Sequence, residues 1–580
     1  MFKKIAKFMK GYELAAALGP ILVILEVICE LLLPLLVARI IDIGIEGNAG
    51  MTYILEMGAI MVAISILSMF SGVMAAKYAS IASQGFGANL RKGLFDHVQE
   101  FSFADIDRFS SASLITRMTN DVNTMQTTVN MGLRVITRAP FMLISAVIVC
   151  FSLNAQLTLM LVVVIVVMAV SIGLLMKVCG KLFTIFQQKM DGLNDTIQEN
   201  LIAIRVVKAF VRSDYEKGKF KRANDALTDA GIRAVSRIIL QQPIMMLAMN
   251  AAIVGVLWMG GNGVMSGTMA VGDLSAFVTY ISQILMSVMM VAMSLMMMTR
   301  SMACVRRTVE VLDTVPDIAN GGESQGRELP APRGLVEFRD ASFKYLATGT
   351  GDDVLSHISF RVEPGQFVAV IGGTGVGKSS LVNLIPRFYD VTGGAVLMDG
   401  LDVRQYPLEA LRGRIGMVLQ NNILFSGTIR ENLLWGKEDA TEDELIQAIR
   451  DAQAYDFIMS FPEGLDTYID QGGVNVSGGQ KQRLCIARAM LRKPALLILD
   501  DSTSAVDSAT EAGIRESFRN HLKDTTVLII AQRISSVQYA DKIIILDDDH
   551  IAGEGTHDEL LVENPIYQEI YQSQQEGVAQ

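Results

Sequence analysis

Residues 367–379 read FVAVIGGTGVGKS. Phe367 to Ile371 is a short apolar run of the kind that fills a buried strand. Gly372 to Ser379 fits the phosphate-binding loop G-x-x-x-x-G-K-[ST] at every fixed position. Glycines let backbone N–H groups wrap phosphate oxygens, and a following helix start adds a favourable dipole. Gly372, Thr374, Gly375, Gly377, Lys378, Ser379 and Ser380 are therefore candidate nucleotide contacts. Lys378 is expected to reach the β- and γ-phosphates, and the Ser379 hydroxyl to bind Mg²⁺. The motif also occurs by chance; the strand before it and the helical pattern after it distinguish this copy. The expected ligands are ATP and Mg²⁺.

Working outward, Leu496 to Leu499 is a second apolar run, and it ends in Asp500 and Asp501. A carboxylate closing such a strand belongs beside the phosphate loop, with Asp500 as the Mg²⁺ partner. The surrounding region, 335–580, mixes strand-like runs (VEFRDASFKY at 336–345, TVLIIA at 526–531, KIIIL at 542–546) with helical patterns. It reads as an α/β P-loop nucleotide-binding domain. Residues 313–334 are rich in Gly, Pro and charge and read as a linker.

Residues 1–312 are of another kind. A chain of 580 residues that is 51% hydrophobic is unusually apolar for a soluble protein, and its mean hydropathy is +0.37. Six apolar stretches, roughly 14–45, 52–80, 130–152, 155–178, 240–263 and 272–298, each supply the ~20 residues that cross a hydrocarbon core. The short breaks near 46–51, 152–156 and 263–273 carry no Lys or Arg, whereas the two long breaks are rich in both. The positive-inside rule then puts the long breaks and both termini in the cytoplasm. The long breaks keep helical spacing, with turns expected near 110–114 and 210–216 as candidate contacts with the second half. Lysines alternating with apolar residues over 1–10 suit an amphipathic helix on the membrane surface. Basic residues beside apolar runs are membrane anchors rather than a nucleic-acid surface. Five scattered cysteines without a C-x-x-C pair argue against a disulfide framework or zinc site.

Glu26 and Glu30 lie four apart and share a helix face. Acids inside a membrane face a cavity or a partner, so the pair either attracts a cationic substrate or pairs with Arg39 or its neighbours. The methionine-dense run 286–302, with Met293 and Met297, offers polarisable side chains to varied apolar compounds, or simply packs.

One family collects these features. Val476–Gln480, VSGGQ, resembles the signature sequence of ATP-binding cassette (ABC) transporters, and it stands between the phosphate loop and the acidic strand as in that family. Tyr345 resembles the aromatic residue that stacks on adenine, Gln420 the Q-loop glutamine, and Ser504-Ala505-Val506-Asp507 the D-loop. LITRMTNDV at 114–122 and IRVVKAFVRSDYE at 204–216 resemble the six-helix exporter membrane domain. The resemblance implies a dimer in which each ATP lies between one chain's phosphate loop and the other's signature. Ser477, Gly478, Gly479 and Gln480 would thus serve the partner's site, and Gln420 would be a further Mg²⁺ ligand. It implies ATP hydrolysis coupled to alternating access, with a small amphipathic or apolar substrate and membrane lipid around the chain. A multi-pass protein of a bacterial inner membrane, with its ATP-binding domain in the cytoplasm, is expected.

Two residues depart from the family pattern. The glutamate expected after the acidic-strand aspartate is Asp501, and the switch histidine is Gln532. Asp is shorter by one C–C bond, ~1.5 Å, and Gln cannot carry the charge available to His. Both sit at the site built on this chain's own loop, while the signature is complete. That division resembles the degenerate half of a heterodimeric exporter, paired with a sister chain; the alternative is a homodimer in which Asp501 works slowly. An importer of the same architecture and a nucleotide-gated channel or sensor are the competing functions.

Overall fold

The computed structural model describes residues 1–318, 329–345, 353–501 and 506–578. Part of the expected linker, 319–328, and the D-loop residues Ser504 and Ala505 lie outside the described residues. The chain divides into two compact units, residues 1–98 with 112–314 and residues 99–111 with 315–580.

The first unit is built from six helical spans long and apolar enough to cross a membrane: Glu13–Glu46, Gly50–Gln99, Ser111–Leu153, Ala155–Ile202, Ser213–Met265 and Val271–Asp313. At 1.5 Å per residue, the 50 residues of Gly50–Gln99 extend roughly 75 Å, more than twice a ~30 Å hydrocarbon core. The tightest turn is a single residue. Asn154 Oδ1 accepts the N–H groups of Gln156 and Leu157 at 3.0 and 3.1 Å, so its side chain caps the span that follows. Helical structure in the fifth span breaks at Leu240, three residues before Pro243, which cannot donate to the ladder. Val27, Leu161, Phe277, Ile281 and Ile284 form the centre of this unit, with Tyr280 donating its hydroxyl hydrogen to Leu31 O at 2.5 Å. Large apolar side chains such as Leu159, Val163 and Trp258 point outward. A surface of that kind suits lipid and not water.

The second unit contains two main sheets. The strands are β1 (Val336–Phe343), β2 (Leu355–Val362), β3 (Phe367–Gly372), β4 (Gly393–Met398), β5 (Leu401–Asp402), β6 (Ile415–Val418), β7 (Gly427–Thr428), β8 (Tyr468–Ile469), β9 (Leu496–Asp500), β10 (Thr526–Ile530), β11 (Lys542–Asp547) and β12 (His550–Gly555). One sheet is antiparallel in the order β2-β1-β4-β5; the other runs β12-β11-β3-β10-β9-β6 and is parallel except at β12. β9 and β10 are wholly buried, which explains their unbroken apolar runs.

The first turn differs from its expected place. It begins earlier, at Glu100, includes a short helix, Phe103–Phe109, that groups with the second unit, and ends at Ser110, where φ is +59°. Ser102 and Asp105 make a capping box, with Asp105 N donating to Ser102 Oγ at 3.2 Å and Ser102 N to Asp105 Oδ2 at 2.9 Å. Phe103 packs on Phe388 with ring centres 4.4 Å apart, and the Tyr389 hydroxyl donates to Asp107 Oδ2 at 2.8 Å. Apolar spacing alone does not mark this turn, because the segment keeps a helical period on both sides. Replacing Phe103 with Ala should speed amide exchange about tenfold across 99–111, as its ring contacts with Phe388 and Tyr389 are lost. Exchange in β3 should stay unchanged. Mass-spectrometric hydrogen exchange reads both; unchanged exchange in 99–111 would contradict this packing.

Candidate functional site

The parallel register decides where the site forms. Ile530 of β10 pairs with both Val370 of β3 and Asp500 of β9. The chain therefore leaves the sheet at Gly372, Asp501 and Ala531 along one edge, the edge at which parallel α/β sheets bind ligands.

At Gly372 a Cβ would lie 2.2 Å from Leu546 O, so no larger residue fits between β3 and β11 there. Gly377 has φ +85° and would place a Cβ 2.9 Å from Val354 O, which leaves glycine as the residue that closes the loop onto the helix at Lys378. Lys378 is nearly buried, and its ammonium donates to Gly372 O at 2.9 Å and to Gly373 O. Burial pulls its pKa below the ordinary lysine value, while the nearby Asp501 and Asp500 charges oppose that fall. Ser379 Oγ donates to Asp500 Oδ1 at 3.0 Å. Burial raises the Asp500 carboxyl above the usual range, and the Ser379 hydrogen bond acts the other way.

Asp501 is the junction of the site. Its φ is +48°, a left-handed conformation that Asp tolerates better than most residues. Its N–H donates to Ile530 O at 3.1 Å. Gln482, from the helix Gly478–Leu491, donates to its backbone oxygen at 3.4 Å. The Gln532 amide donates to Asp501 Oδ2 at 2.9 Å. The two residues that depart from the family pattern therefore touch. Burial raises the Asp501 carboxyl, with Lys378, Arg533 and the Gln532 amide pulling it down. Gln574, in the helix Pro565–Val578, donates to Gln532 O and accepts from Ile534 N, both at 2.8 Å, which fixes the backbone on either side of Arg533.

The remaining sequence candidates fall around this edge. Gln420 is exposed two residues beyond β6, the neighbour of β9. Tyr345 shares a hydrogen bond with Ser380 through their hydroxyls at 2.9 Å and meets Tyr389 edge-on at 5.2 Å. Thr374 and Gly375 lie in the loop itself. Ser477 to Gln480 stand apart. Ser477 caps their helix by accepting from Gln480 N at 3.3 Å, and Ser477 and Gly478 are exposed. Among the described residues no hydrogen bond ties this turn to the phosphate loop. Sequence reasoning passed over Tyr389, Gln482 and Gln574. Gln482 alone carried a signal, a polar residue on the otherwise apolar buried face of its helix.

In the first unit Glu26 and Glu30 share a partner, which is Arg138 and not Arg39. Arg138 donates to Glu26 Oε1 at 2.6 Å and to both Glu30 oxygens at 2.6 and 2.7 Å. Met293 is exposed and Met297 is half-buried.

Residues 17–288 match the family described as the ABC transporter transmembrane region, and residues 355–504 match the family described as ABC transporter. An uncharacterized ABC transporter ATP-binding protein, YfiB of Bacillus subtilis, is 40% identical over 572 residues, covering 99% of this chain and 98% of its own. An ATP-dependent lipid A-core flippase of Syntrophus aciditrophicus is 34% identical over 92% of this chain and 87% of its own. The solved structure of a bacterial Atm1-family ABC exporter with ATP bound superposes with a TM-score of 0.78 at 25% identity, over 98% of each chain. Lys378→Ala should lower ATP affinity at least about tenfold, since one charged donor to phosphate is lost; titration with a fluorescent ATP analogue checks this, and undiminished affinity would contradict the site. With six membrane spans fused to an ATP-binding domain, the chain belongs to the ABC transporters and is a multi-pass, exporter-type half-transporter whose ATPase is coupled to transport.

Proposed function

We propose that this chain is the ATP-holding half of a heterodimeric exporter, and that its sister chain carries Glu and His where this one has Asp501 and Gln532. The observation behind this reading is the Asp501–Gln532 hydrogen bond. A residue that orients the attacking water needs a carboxylate free to accept a proton. Here one oxygen is engaged by an amide, on a side chain already ~1.5 Å short. Misplacement of ~1 Å costs about 10²-fold in rate. Lys378, the loop glycines and Tyr345 bind ATP in this site, while hydrolysis there is slow. The Ser379 hydroxyl and Asp500 carboxylate, 3.0 Å apart, are a donor set suited to Mg²⁺. The ion, with Gln420 as a further ligand, would neutralise phosphate charge.

The signature Ser477–Gln480 is complete and faces outward, so in the dimer it serves the sister chain's ATP. The tip between the fourth and fifth spans supports assembly with another chain: Ile202, Phe210 and Val211 are among the most exposed large apolar residues of the protein. The Lys- and Arg-rich long breaks favour a plasma membrane orientation with both termini cytoplasmic. A substrate that is amphipathic or apolar fits a family whose relatives include a lipid flippase.

A homodimer is the second reading, favoured by the fact that position 501 still holds a carboxylate on the same edge as Lys378. ATP turnover in lipid separates the two. The chain alone should turn over negligibly, and adding the sister chain should restore activity; brisk turnover alone would mean a homodimer. In the restored complex Ser477→Ala should slow hydrolysis at least about tenfold; full activity would contradict the shared site.

A further inference from the structure

The C-terminal helix Pro565–Val578 is held to the second unit along one stripe. Tyr567 is fully buried there, and Ile570 and Tyr571 pack on the same core as Ile534 and Val537. Gln574 comes four residues after Ile570 and three after Tyr571, so it lies on that stripe one turn further on. An apolar residue would continue the packing; a half-buried amide stands there instead. Both ends of the amide are spent on one segment. Its Nε2 donates to Gln532 O and its Oε1 accepts from Ile534 N, each at 2.8 Å. A residue of a parallel strand makes this pair of bonds, to the residues before and after the one it faces. The side chain therefore stands in for a strand beside Arg533, whose backbone is extended at φ −104° and ψ 130°.

Gln532 is thus held at both ends. Gln574 fixes its carbonyl, and its side-chain amide donates one hydrogen to Asp501 Oδ2 at 2.9 Å. A primary amide has a second hydrogen. Among the described residues that hydrogen meets no acceptor, and Gln532 is exposed. It stands at the edge where Lys378 and Asp501 are close enough for each charge to act on the other. An oxygen of the terminal phosphate, which ATP has and ADP lacks, is the acceptor that suits this place.

We infer that Gln574 is a positioning residue of the ATP site. Acting through the backbone of Gln532, it holds the second amide hydrogen of that residue toward the γ-phosphate, and so sets how tightly the site holds ATP relative to ADP. The inference goes beyond the export reading. It needs this edge to bind ATP, but neither slow hydrolysis nor a sister chain.

The test titrates the full chain in lipid, with Mg²⁺, using ADP and the non-hydrolysable ATP analogue AMP-PNP, each displacing fluorescent mant-ADP. Gln574→Leu keeps the apolar stripe. It should weaken AMP-PNP about tenfold, the loss of one hydrogen bond to a charged group, and leave ADP within about twofold. Gln532→Leu should do the same, and the double variant should lose no more than either single one. Gln574→Glu supplies a readout that packing alone does not move. As a carboxylate it faces the Gln532 carbonyl, so at ~pH 8 the loss should match that of Gln574→Leu. The same repulsion raises its pKa above the ordinary glutamate value of ~4.3. Protonated, it donates to Gln532 O and accepts from Ile534 N, so toward ~pH 5 most of the loss should be recovered. Each affinity is divided by the wild-type value at the same pH. That removes the titration of the nucleotide, of Asp501 and of His557, which touches Tyr571. Equal losses for ADP and AMP-PNP, no loss in Gln574→Leu, additive losses in the double variant, or a Gln574→Glu deficit that ignores pH would overturn the inference. Brisk ATP turnover by the unmodified chain alone would overturn the heterodimer, while a loss confined to AMP-PNP in Gln574→Leu would still uphold the role of Gln574.

Discussion

Everything at the ATP site depends on the parallel pairing of β10 between β3 and β9. Because Ile530 is opposite both Val370 and Asp500, three strands end together. Gly372, the Asp500–Asp501 pair and Gln532 then emerge within two residues of one another along one edge. A slip in this register would separate Ser379 from Asp500 and turn the strand faces over. The buried apolar runs of β3, β9 and β10 hold that register, and the loop glycines let the chain turn as it leaves.

Within this frame Asp501 and Gln532 act as a unit. Asp501 takes a left-handed backbone, is held through its N–H by β10 and through its carbonyl by Gln482, and gives one carboxylate oxygen to Gln532. Gln482 lies on the signature helix. A change in the helix Gly478–Leu491 therefore has a direct path to the backbone of Asp501. Gln574 adds a second hold from the C-terminal helix. The proposed slow site is thus a residue pair whose backbone is held from β10, from the helix Gly478–Leu491 and from the C-terminal helix.

Much of this was legible in the sequence, and the reasons differ by element. The phosphate loop and the acidic strand were readable because both motifs are contiguous and fixed by the local backbone. The six spans were readable because length and hydropathy are local sums; the first was expected at 14–45 and the structure gives Glu13–Glu46. The expected turn near 110–114 meets the break at Ser110, but the short helix Phe103–Phe109 before it is not legible, because a helical period continues across it. Long-range partners were the hardest to see. Glu26 and Glu30 invited a partner, yet Arg138 lies more than 100 residues away and only helix packing brings it to them. Asp501 and Gln532 were both singled out as departures, but their contact across 31 residues depends on β9 lying beside β10.

Whether this chain's site hydrolyses its ATP is read most directly from which nucleotide each site holds during turnover. The assembled transporter is supplied with radiolabelled 8-azido-ATP, washed rapidly, photolysed and digested, and label on the peptide containing Tyr345 is compared with label on the matching peptide of the sister chain. Intact triphosphate is expected on the Tyr345 peptide and mainly diphosphate on the sister's. Diphosphate in equal proportion on both peptides would mean that Asp501 and Gln532 support hydrolysis and that this chain holds no slow site.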